Sequence, residues 1–190
     1  MKTIDIIHDE HRALAAVLQA LRFVVNEIRS GKLKADFRLL TAMVDYITQV
    51  PEKVHHPKED NYLFPKLRSR SKQAAELIDI LEGQHVAGYR MTVELLQALL
   101  HYQSVGAAGF SAFDTLVQQY LDFNWQHLNQ EETELLPLAR EALSEEDWAG
   151  IDAEFSANFD PYAGAEGEFK ELFGRIVNMT PAPYGLGPAG

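Results

Sequence analysis

A histidine is followed four residues later by a carboxylate twice in this chain, at His55–Glu59 and at His127–Glu131. Each residue of an α-helix turns the chain by about 100°, so the two members of each pair face the same side. Two further helical stretches place a single histidine, His11 and His85, in their apolar stripe. Converging imidazoles and carboxylates fill a core poorly and hold a pair of metal ions well. The spacing therefore predicts a metal-binding helical bundle.

The composition limits the classes of function. The chain has 190 residues, 46% of them hydrophobic, which suits one globular domain. Acidic residues outnumber basic residues by 28 to 17, so we expect neither nucleic acid nor a membrane surface as a partner. With no signal-like N-terminus and no stretch near the roughly 20 apolar residues that cross a bilayer, a cytoplasmic location is expected. The absence of cysteine leaves nitrogen and oxygen atoms as the metal ligands.

The apolar spacing predicts four long amphipathic helices with short connections. They run through residues 4–28, 36–66, 71–99 and 113–138. Pro51 should kink the second helix or split it in two, and the small residues of 106–109 should form a loop. This pattern favours an all-α fold, an up-down-up-down four-helix bundle over residues 1–143.

The long amphipathic pattern ends after residue 143. Ser144 and Asp147 have the spacing of a capping box, which predicts a short helical extension, residues 144–179, packed on the bundle. The tail, residues 180–190, is rich in proline and glycine and is predicted to be disordered.

Helical projection orders the polar residues of the second helix. His55 and Glu59 face inward, and Tyr62 falls beside them. His56 points away from His55 in this projection. However, His56 and Asp60 repeat the same spacing, which makes them the alternative register.

The carboxylate of the fourth helix has an alternative as well. Ideal geometry turns Glu131 inward and leaves Glu132 roughly 140° from His127, whereas Glu134 also projects inward. A local bulge before Pro137 would change this order. Both Glu131 and Glu132 are therefore kept as candidate ligands.

A buried structural histidine is the ordinary explanation for a single histidine in a core, and it would serve for His11 or His85 alone. That explanation does not cover four helices that each have a histidine at a core position. Two carboxylates buried side by side without a cation would cost several kcal/mol per ion. His101 projects to the far side of its helix from His85 and is predicted to be exposed.

Five local motifs and the single residue His85 occur in a fixed order within residues 4–143. They are Glu10-His11-Arg12, His55-His56-Pro57-Lys58-Glu59-Asp60 with Leu63-Phe64-Pro65, His85, and His127-Leu128-x-x-Glu131-Glu132 with Leu135-Leu136-Pro137. This order and spacing resemble the hemerythrin-like (HHE cation-binding) domain of bacteria. The resemblance implies two non-haem irons, bridged by Glu59, by Glu131 or Glu132, and by an oxo or hydroxo group. The implied terminal ligands are His11, His55, His85 and His127.

The chain departs from hemerythrins proper at one implied ligand. They carry a further histidine one turn after the third-helix ligand, where this chain has Tyr89 beside His85. This difference leaves one iron with fewer nitrogen ligands and a phenol nearby. Hemerythrins proper also use the carboxylate that corresponds to Glu132, whereas many bacterial relatives use the position of Glu131.

Two classes of function follow from this ligand set. Four imidazoles and two bridging carboxylates leave open positions on two six-coordinate ions, and an open position allows reactivity with a small molecule. The first class is a protein that binds or senses dioxygen or nitric oxide, or that buffers iron. The second is a di-iron oxidoreductase that turns over peroxide or dioxygen with a redox partner. Deep apolar surroundings favour the first, whereas Tyr89 and an open channel favour the second. Iron and manganese both accept this ligand set.

Overall fold

The computed structural model describes residues 1–157 and 165–188, which form four helical rods followed by two shorter helices. The first rod is α1 (Lys2–Arg29). The second consists of α2 (Phe37–Val50), π1 (Pro51–His55), α3 (His56–Lys58), π2 (Glu59–Leu63) and α4 (Phe64–Arg70). The third is α5 (Lys72–Val105). The fourth consists of α6 (Ala107–Gln130), π3 (Glu131–Leu135) and α7 (Leu136–Ala142).

Each rod packs against two neighbours, which closes a four-helix bundle. Both α1 and α5 contact α2 and α6. The connections between the rods are short, so consecutive rods run antiparallel. The all-α bundle predicted from the sequence is confirmed. Within 1–157 and 165–188, no helix combines the length and the apolar character needed to cross a membrane.

Local signals set the ends of the rods. The side chains of Asp36 and Ser71 cap α2 and α5 by accepting backbone N–H groups. Gly106 has a φ of +65°, and it alone separates α5 from α6. The loop predicted over 106–109 is therefore wrong beyond its first residue. Gly109 is needed for packing, because a Cβ there would lie 2.7 Å from the Cα of Tyr102.

Pro51 neither splits the second rod nor ends a helix. The π1 segment begins at this residue, and the chain continues as a helix on both sides. Because proline has no N–H, the carbonyl oxygen of Ile47 loses its usual helical partner, and the buried hydroxyl of Tyr120 donates to this oxygen at 2.8 Å.

Two apolar clusters fill the bundle on either side of the histidine layer. Along α1, Ile4 and Ile7 belong to one cluster, the buried side chains of 14–25 belong to the other, and His11 lies between them. The helix α8 (Glu145–Ala157) adds Trp148 and two further apolar side chains to the first cluster. The helix α9 (Ala165–Met179) adds Ile176 to the second.

The C-terminal extension contacts the bundle through both helices. Asp147 N–H donates to Ser144 Oγ and Ser144 N–H donates to Asp147 Oδ2, each at 3.2 Å, so the capping box forms as its spacing predicts. Where the sequence predicts disorder, residues 180–188 form a closed turn in which Gly187 N–H donates to the carbonyl oxygen of Thr180 at 2.8 Å. Residues 158–164 of the predicted extension and 189–190 of the predicted tail lie outside the described residues.

Candidate metal centre

The first of two clusters of possible ligands lies between α1 and the second and fourth rods. It contains His11, His55, Glu59 and Glu131, with one ligand atom of each within 4.8 Å of the others. His11 Nε2 lies 2.9 Å from His55 Nε2, and Glu131 Oε2 lies 3.2 Å from His11 Nε2. All four side chains are buried. We call this set the His11 cluster.

The second cluster consists of three imidazoles, His56, His85 and His127, whose ligand atoms also lie within 4.8 Å of one another. The rings of His56 and His85 stack with their centroids 3.8 Å apart. The ring of His127 meets that of His85 edge-on, with the centroids 5.1 Å apart. We call this set the His56 cluster.

The carboxylates of Glu59 and Glu131 lie between the two clusters. Glu131 Oε1 is 3.3 Å from His127 Nε2, whereas its other oxygen faces His11. Glu59 Oε2 is 3.5 Å from His55 Nε2 and 3.7 Å from His85 Nε2. Neither glutamate is exposed to solvent. This arrangement suits carboxylates that bridge two metal ions.

Six of the atoms that could bind a metal have no hydrogen-bond partner among the described residues. Both oxygens of Glu59 and of Glu131, and Nε2 of His85 and of His127, are buried and accept no hydrogen bond from any described residue. Buried polar atoms are almost always hydrogen-bonded, and unpaired buried carboxylates are costly. A bound cation accounts for all of these atoms at once. The residues present therefore fit a metal centre.

The comparison with known protein families agrees with this geometry. The sequence model of the hemerythrin HHE cation binding domain matches residues 2–139. The chain belongs to the hemerythrin HHE cation-binding family. No curated protein matches it. The matched region contains every residue of the two clusters, so cation binding in a helical bundle is the family property that this site carries.

Four histidines of the two clusters are oriented by hydrogen bonds from Nδ1. His11 Nδ1 donates to Glu132 Oε1 at 2.7 Å, and His55 Nδ1 donates to Glu10 Oε2 at 2.9 Å. His85 and His127 follow the same pattern. Their acceptors are Asp60 Oδ1 at 2.9 Å and Gln84 Oε1 at 2.8 Å. Such bonds fix the tautomer and direct each Nε2 lone pair towards a metal.

Glu132, the alternative carboxylate, lies outside both clusters. It is partly exposed, and its second oxygen lies 3.0 Å from His8 Nε2. Its contact with His11 Nδ1 makes it an orienting partner of a candidate ligand. Glu134, which projects inward on an ideal helix, is exposed.

The prediction that His56 points away from the site is wrong. His56 belongs to the three-imidazole cluster, directly beside His55. The ideal α-helical projection fails here because π1 ends at His55, and a π turn rotates the chain less per residue than an α turn. The alternative register is not adopted as a ligand pair either, because Asp60 contacts His85 Nδ1.

The two tyrosines predicted to line the site lie further out. Tyr89 is 56% exposed and borders a cavity of about 270 Å³ whose wall includes His56 and His85. Tyr62 packs towards Phe155 of α8, with the ring centroids 6.5 Å apart. The third imidazole of the second cluster is thus supplied by His56, and Tyr89 stands at the opening. His101 is exposed, as predicted.

The two central carboxyls titrate in opposite directions. Burial raises the pKa of Glu59 to about 7, and repulsion from Glu131 adds to the effect. Burial also raises the pKa of Glu131, but attraction to His127 and the other imidazoles outweighs it and holds this pKa well below its usual range. Without a cation, Glu131 therefore stays ionised, whereas Glu59 is about half protonated near pH 7.

The pKa values of the imidazoles are also shifted in opposite directions. Burial and repulsion from neighbouring imidazoles hold the pKa of His56 well below its usual range. Burial likewise lowers the pKa of His127 to about 4. In His85, burial is outweighed by the hydrogen bond to Asp60, and the pKa rises to about 9. Neutral His56 and His127 can bind a metal directly, whereas His85 must first release a proton.

Proposed function

We propose that this protein is a non-haem di-iron protein that binds or senses dioxygen or nitric oxide, or that buffers iron. The observation that carries the proposal is the position of Glu131. One of its oxygens faces the His11 cluster and the other faces the His56 cluster. A single-metal site would leave one of these clusters without an ion.

The number of ligands supports an open coordination position. Five imidazoles and two bridging carboxylates supply nine of the twelve bonds that two six-coordinate ions require. A bridging oxo or hydroxo group would supply two more bonds. The His56 cluster has three imidazoles and the His11 cluster has two, so the remaining position falls on the side of His11 and His55. A metal there would be free to bind one small molecule.

The ligand chemistry fits iron. Imidazole and carboxylate ligands suit iron and manganese, and the chain has no cysteine to select a softer metal. The surroundings favour binding over turnover, because both bridging carboxylates are fully buried and the histidine layer lies between two apolar clusters. A site that excludes water protects a bound small molecule from side reactions.

A second candidate function is a di-iron oxidoreductase that turns over peroxide or dioxygen. The cavity beside His56 and His85 favours it, because its volume of about 270 Å³ admits a molecule larger than a diatomic gas. The Tyr89 argument for this function is weaker than the sequence suggests, since His56 restores the third imidazole. The physiological redox partner and the cytoplasmic location stay predictions.

The proposal is tested by reducing the iron-loaded protein under anaerobic conditions and then mixing it with dioxygen. We expect an absorbance change that saturates at one dioxygen per chain and reverses under vacuum, and a similar saturable change with nitric oxide. Hydrogen peroxide is added to a matched sample, and the rate at which the peroxide is consumed is measured. Irreversible oxidation by dioxygen together with multiple turnovers of peroxide would contradict the binding function and favour the oxidoreductase.

A further inference from the structure

The cavity of about 270 Å³ beside the His56 cluster opens to the surface between the second rod and α5. Val86 and Tyr89, each 56% exposed, stand at the opening. Most of the remaining wall consists of side chains that can bind a cation. These are Glu52, His56, Asp60 and His85.

The exposure of these four side chains falls from the opening inwards. Asp60 is 40% exposed and Glu52 is 28% exposed, whereas His56 and His85 are 12% and 6% exposed. Behind them, the two glutamates of the His11 cluster are fully buried. The carboxylates of the cavity therefore lie on its solvent side, and the imidazoles lie at its base.

Neighbouring ligand atoms along this row are close enough to share one ion. Glu52 Oε1 lies 3.4 Å from His56 Nδ1, and one ligand atom of His56 lies within 4.8 Å of one of His85. His85 Nε2 in turn lies 3.7 Å from Glu131 Oε1. Bonds from a divalent metal to imidazole or carboxylate are about 2.0–2.2 Å long, so one ion can bind two atoms about 4 Å apart. A cation can therefore pass from ligand to ligand without being bare in the protein interior, where an unpaired ion is costly.

The charge of the opening suits a divalent cation. Within residues 1–157 and 165–188, no lysine or arginine forms an ion pair with Glu52 or Asp60, and none borders the cavity. A cleft lined by negative charge concentrates cations and repels anions. At the base, His56 Nδ1 and His85 Nε2 are buried without a hydrogen-bond partner among the described residues. The row therefore ends in unused ligand atoms.

We propose that this cavity is the entry route for ferrous iron, and that Glu52 is the first side chain to bind the arriving ion inside it. The inference rests on the proposed function, because the ion that enters supplies the di-iron centre. A ferrous ion with six waters occupies roughly 200 Å³ at about 30 Å³ per water, so the hydrated ion fits the cavity. Glu52 replaces part of this water shell, and His56 receives the ion next. Asp60 is already engaged, because it accepts a hydrogen bond from His85 Nδ1.

Uptake of ferrous iron by the metal-free full chain tests the role of Glu52. The two are mixed without oxygen, unbound iron is removed on a chelating resin at timed intervals, and the iron in the protein is measured by elemental analysis. We expect Glu52→Gln to take up iron about tenfold more slowly than the wild type, because a neutral amide attracts a cation less. Both should reach two irons per chain, since Glu52 is not a ligand of the finished centre. Glu94→Gln is the matched control, because it removes the same charge from an exposed position of α5 that does not border the cavity.

Two results overturn the proposal while the di-iron centre stands. Equal rates for Glu52→Gln and the wild type would show that iron enters elsewhere. A final content below two irons in this variant would make Glu52 a ligand of the finished centre instead of an entry residue. A wild type that takes up no iron would overturn the proposed function as well, so the two failures are distinguishable.

Val86→Trp tests the route without changing a charge or a ligand. The larger side chain should obstruct the opening and slow the uptake of iron several-fold, with the final content unchanged. Val93→Trp is the matched control, because Val93 is 41% exposed on the same helix and does not border the cavity. Far-ultraviolet circular dichroism verifies that each variant is folded. Equal uptake by the two tryptophan variants would place the route elsewhere and overturn the proposal.

Discussion

Glu131 faces a different set of imidazoles with each of its oxygens, as a carboxylate that bridges two metal ions would. A single imidazolium would neutralise the glutamate from one side. Here His11 Nε2 lies 3.2 Å from one oxygen and His127 Nε2 lies 3.3 Å from the other. Glu59 also lies between the two sets, but a single oxygen, Oε2, faces both His55 and His85. The two residues act as a pair, and removal of either should affect both metals.

His56 provides the sharpest test at the scale of single residues. We expect His56→Ala to lower the iron content from two per chain to about one, because the His56 cluster loses one of its three imidazoles. His55→Ala should lower the iron content as well. Elemental analysis of the purified variants gives the result, with exposed His101→Ala as the control. Unchanged iron in the His56 variant would remove this residue from the ligand set.

The metal-free protein should lose stability as the pH rises from 6.5 to 9. The pKa of His85 is about 9 in the folded state against an ordinary 6.5, so its proton stabilises the fold fully below pH 6.5. That contribution is lost as the pH rises through 9. It amounts to on the order of 3 kcal/mol. Glu59, with a pKa of about 7, acts in the same direction between pH 4.5 and 7.

Urea unfolding of the metal-free protein at pH 6.5 and pH 9 measures this effect. We expect the free energy of unfolding to be lower at pH 9. The iron-loaded protein is the control, since its ligands have already released their protons and should show a smaller change. An equal or higher stability of the metal-free protein at pH 9 would contradict the assigned protonation of His85.

At the scale of elements, the π segments position the ligands. Glu59 begins π2 and Glu131 begins π3, and a proline follows each glutamate six residues later, at Pro65 and Pro137. A proline cannot donate the backbone hydrogen bond that an α-helix requires, and the wider π turn before it relieves this loss. π turns are common at functional sites, and here each one begins at a buried glutamate of the His11 cluster or ends at a histidine of it.

Deletion of Lys53 should test the role of π1. A π turn contains one residue more than an α turn, so removing this exposed residue should restore α geometry and rotate His55 and His56 relative to α2. We expect the variant to stay helical by circular dichroism and to lose most of its iron. Lys53→Ala keeps the length of the chain and should retain the metal. Full iron content in the deletion variant would show that π1 does not set the ligand geometry.

The candidate ligands in regular α-helix were predictable from the sequence, whereas His56 was not. His11, His85 and His127 lie in regular helix, and projection at 100° per residue places them correctly on the inner face. His56 follows a π turn, and no residue type specifies such a turn in the way that glycine or a capping residue marks a helix end. Two local signals were available. Pro51 is the first, and it predicts a kink as readily as a π turn. The second is a proline six residues after the start of each π segment, at Pro57, Pro65 and Pro137.

At the scale of the whole molecule, the layer of histidine and glutamate side chains lies between two apolar clusters. Polar ligands that interrupt a core reduce the apolar surface that holds the bundle together, so the packing on either side must supply the stability. The C-terminal helices contribute to both clusters, α8 through Trp148 and Phe155 and α9 through Ile176. We interpret the extension as a part of the bundle's core.

Ile176→Ala should reveal the contribution of α9. The side chain is 2% exposed, and truncation of a buried isoleucine costs roughly 2–5 kcal/mol. We expect urea unfolding to show a loss in this range while the iron content stays unchanged. Arg175→Ala is the matched control, because this neighbour is exposed and its loss should change stability by about 0.5 kcal/mol or less. Equal stability of the two variants would show that α9 does not pack on the bundle in solution.

Anomalous diffraction from crystals of the iron-loaded protein, recorded on either side of the iron absorption edge, tests the two-metal centre most directly. We expect two peaks about 3.5 Å apart, as in other two-metal sites. One peak should lie beside His11 and His55 and the other among His56, His85 and His127, with Glu59 and Glu131 between them. A single peak bound by one cluster, with the other cluster empty, would contradict the account.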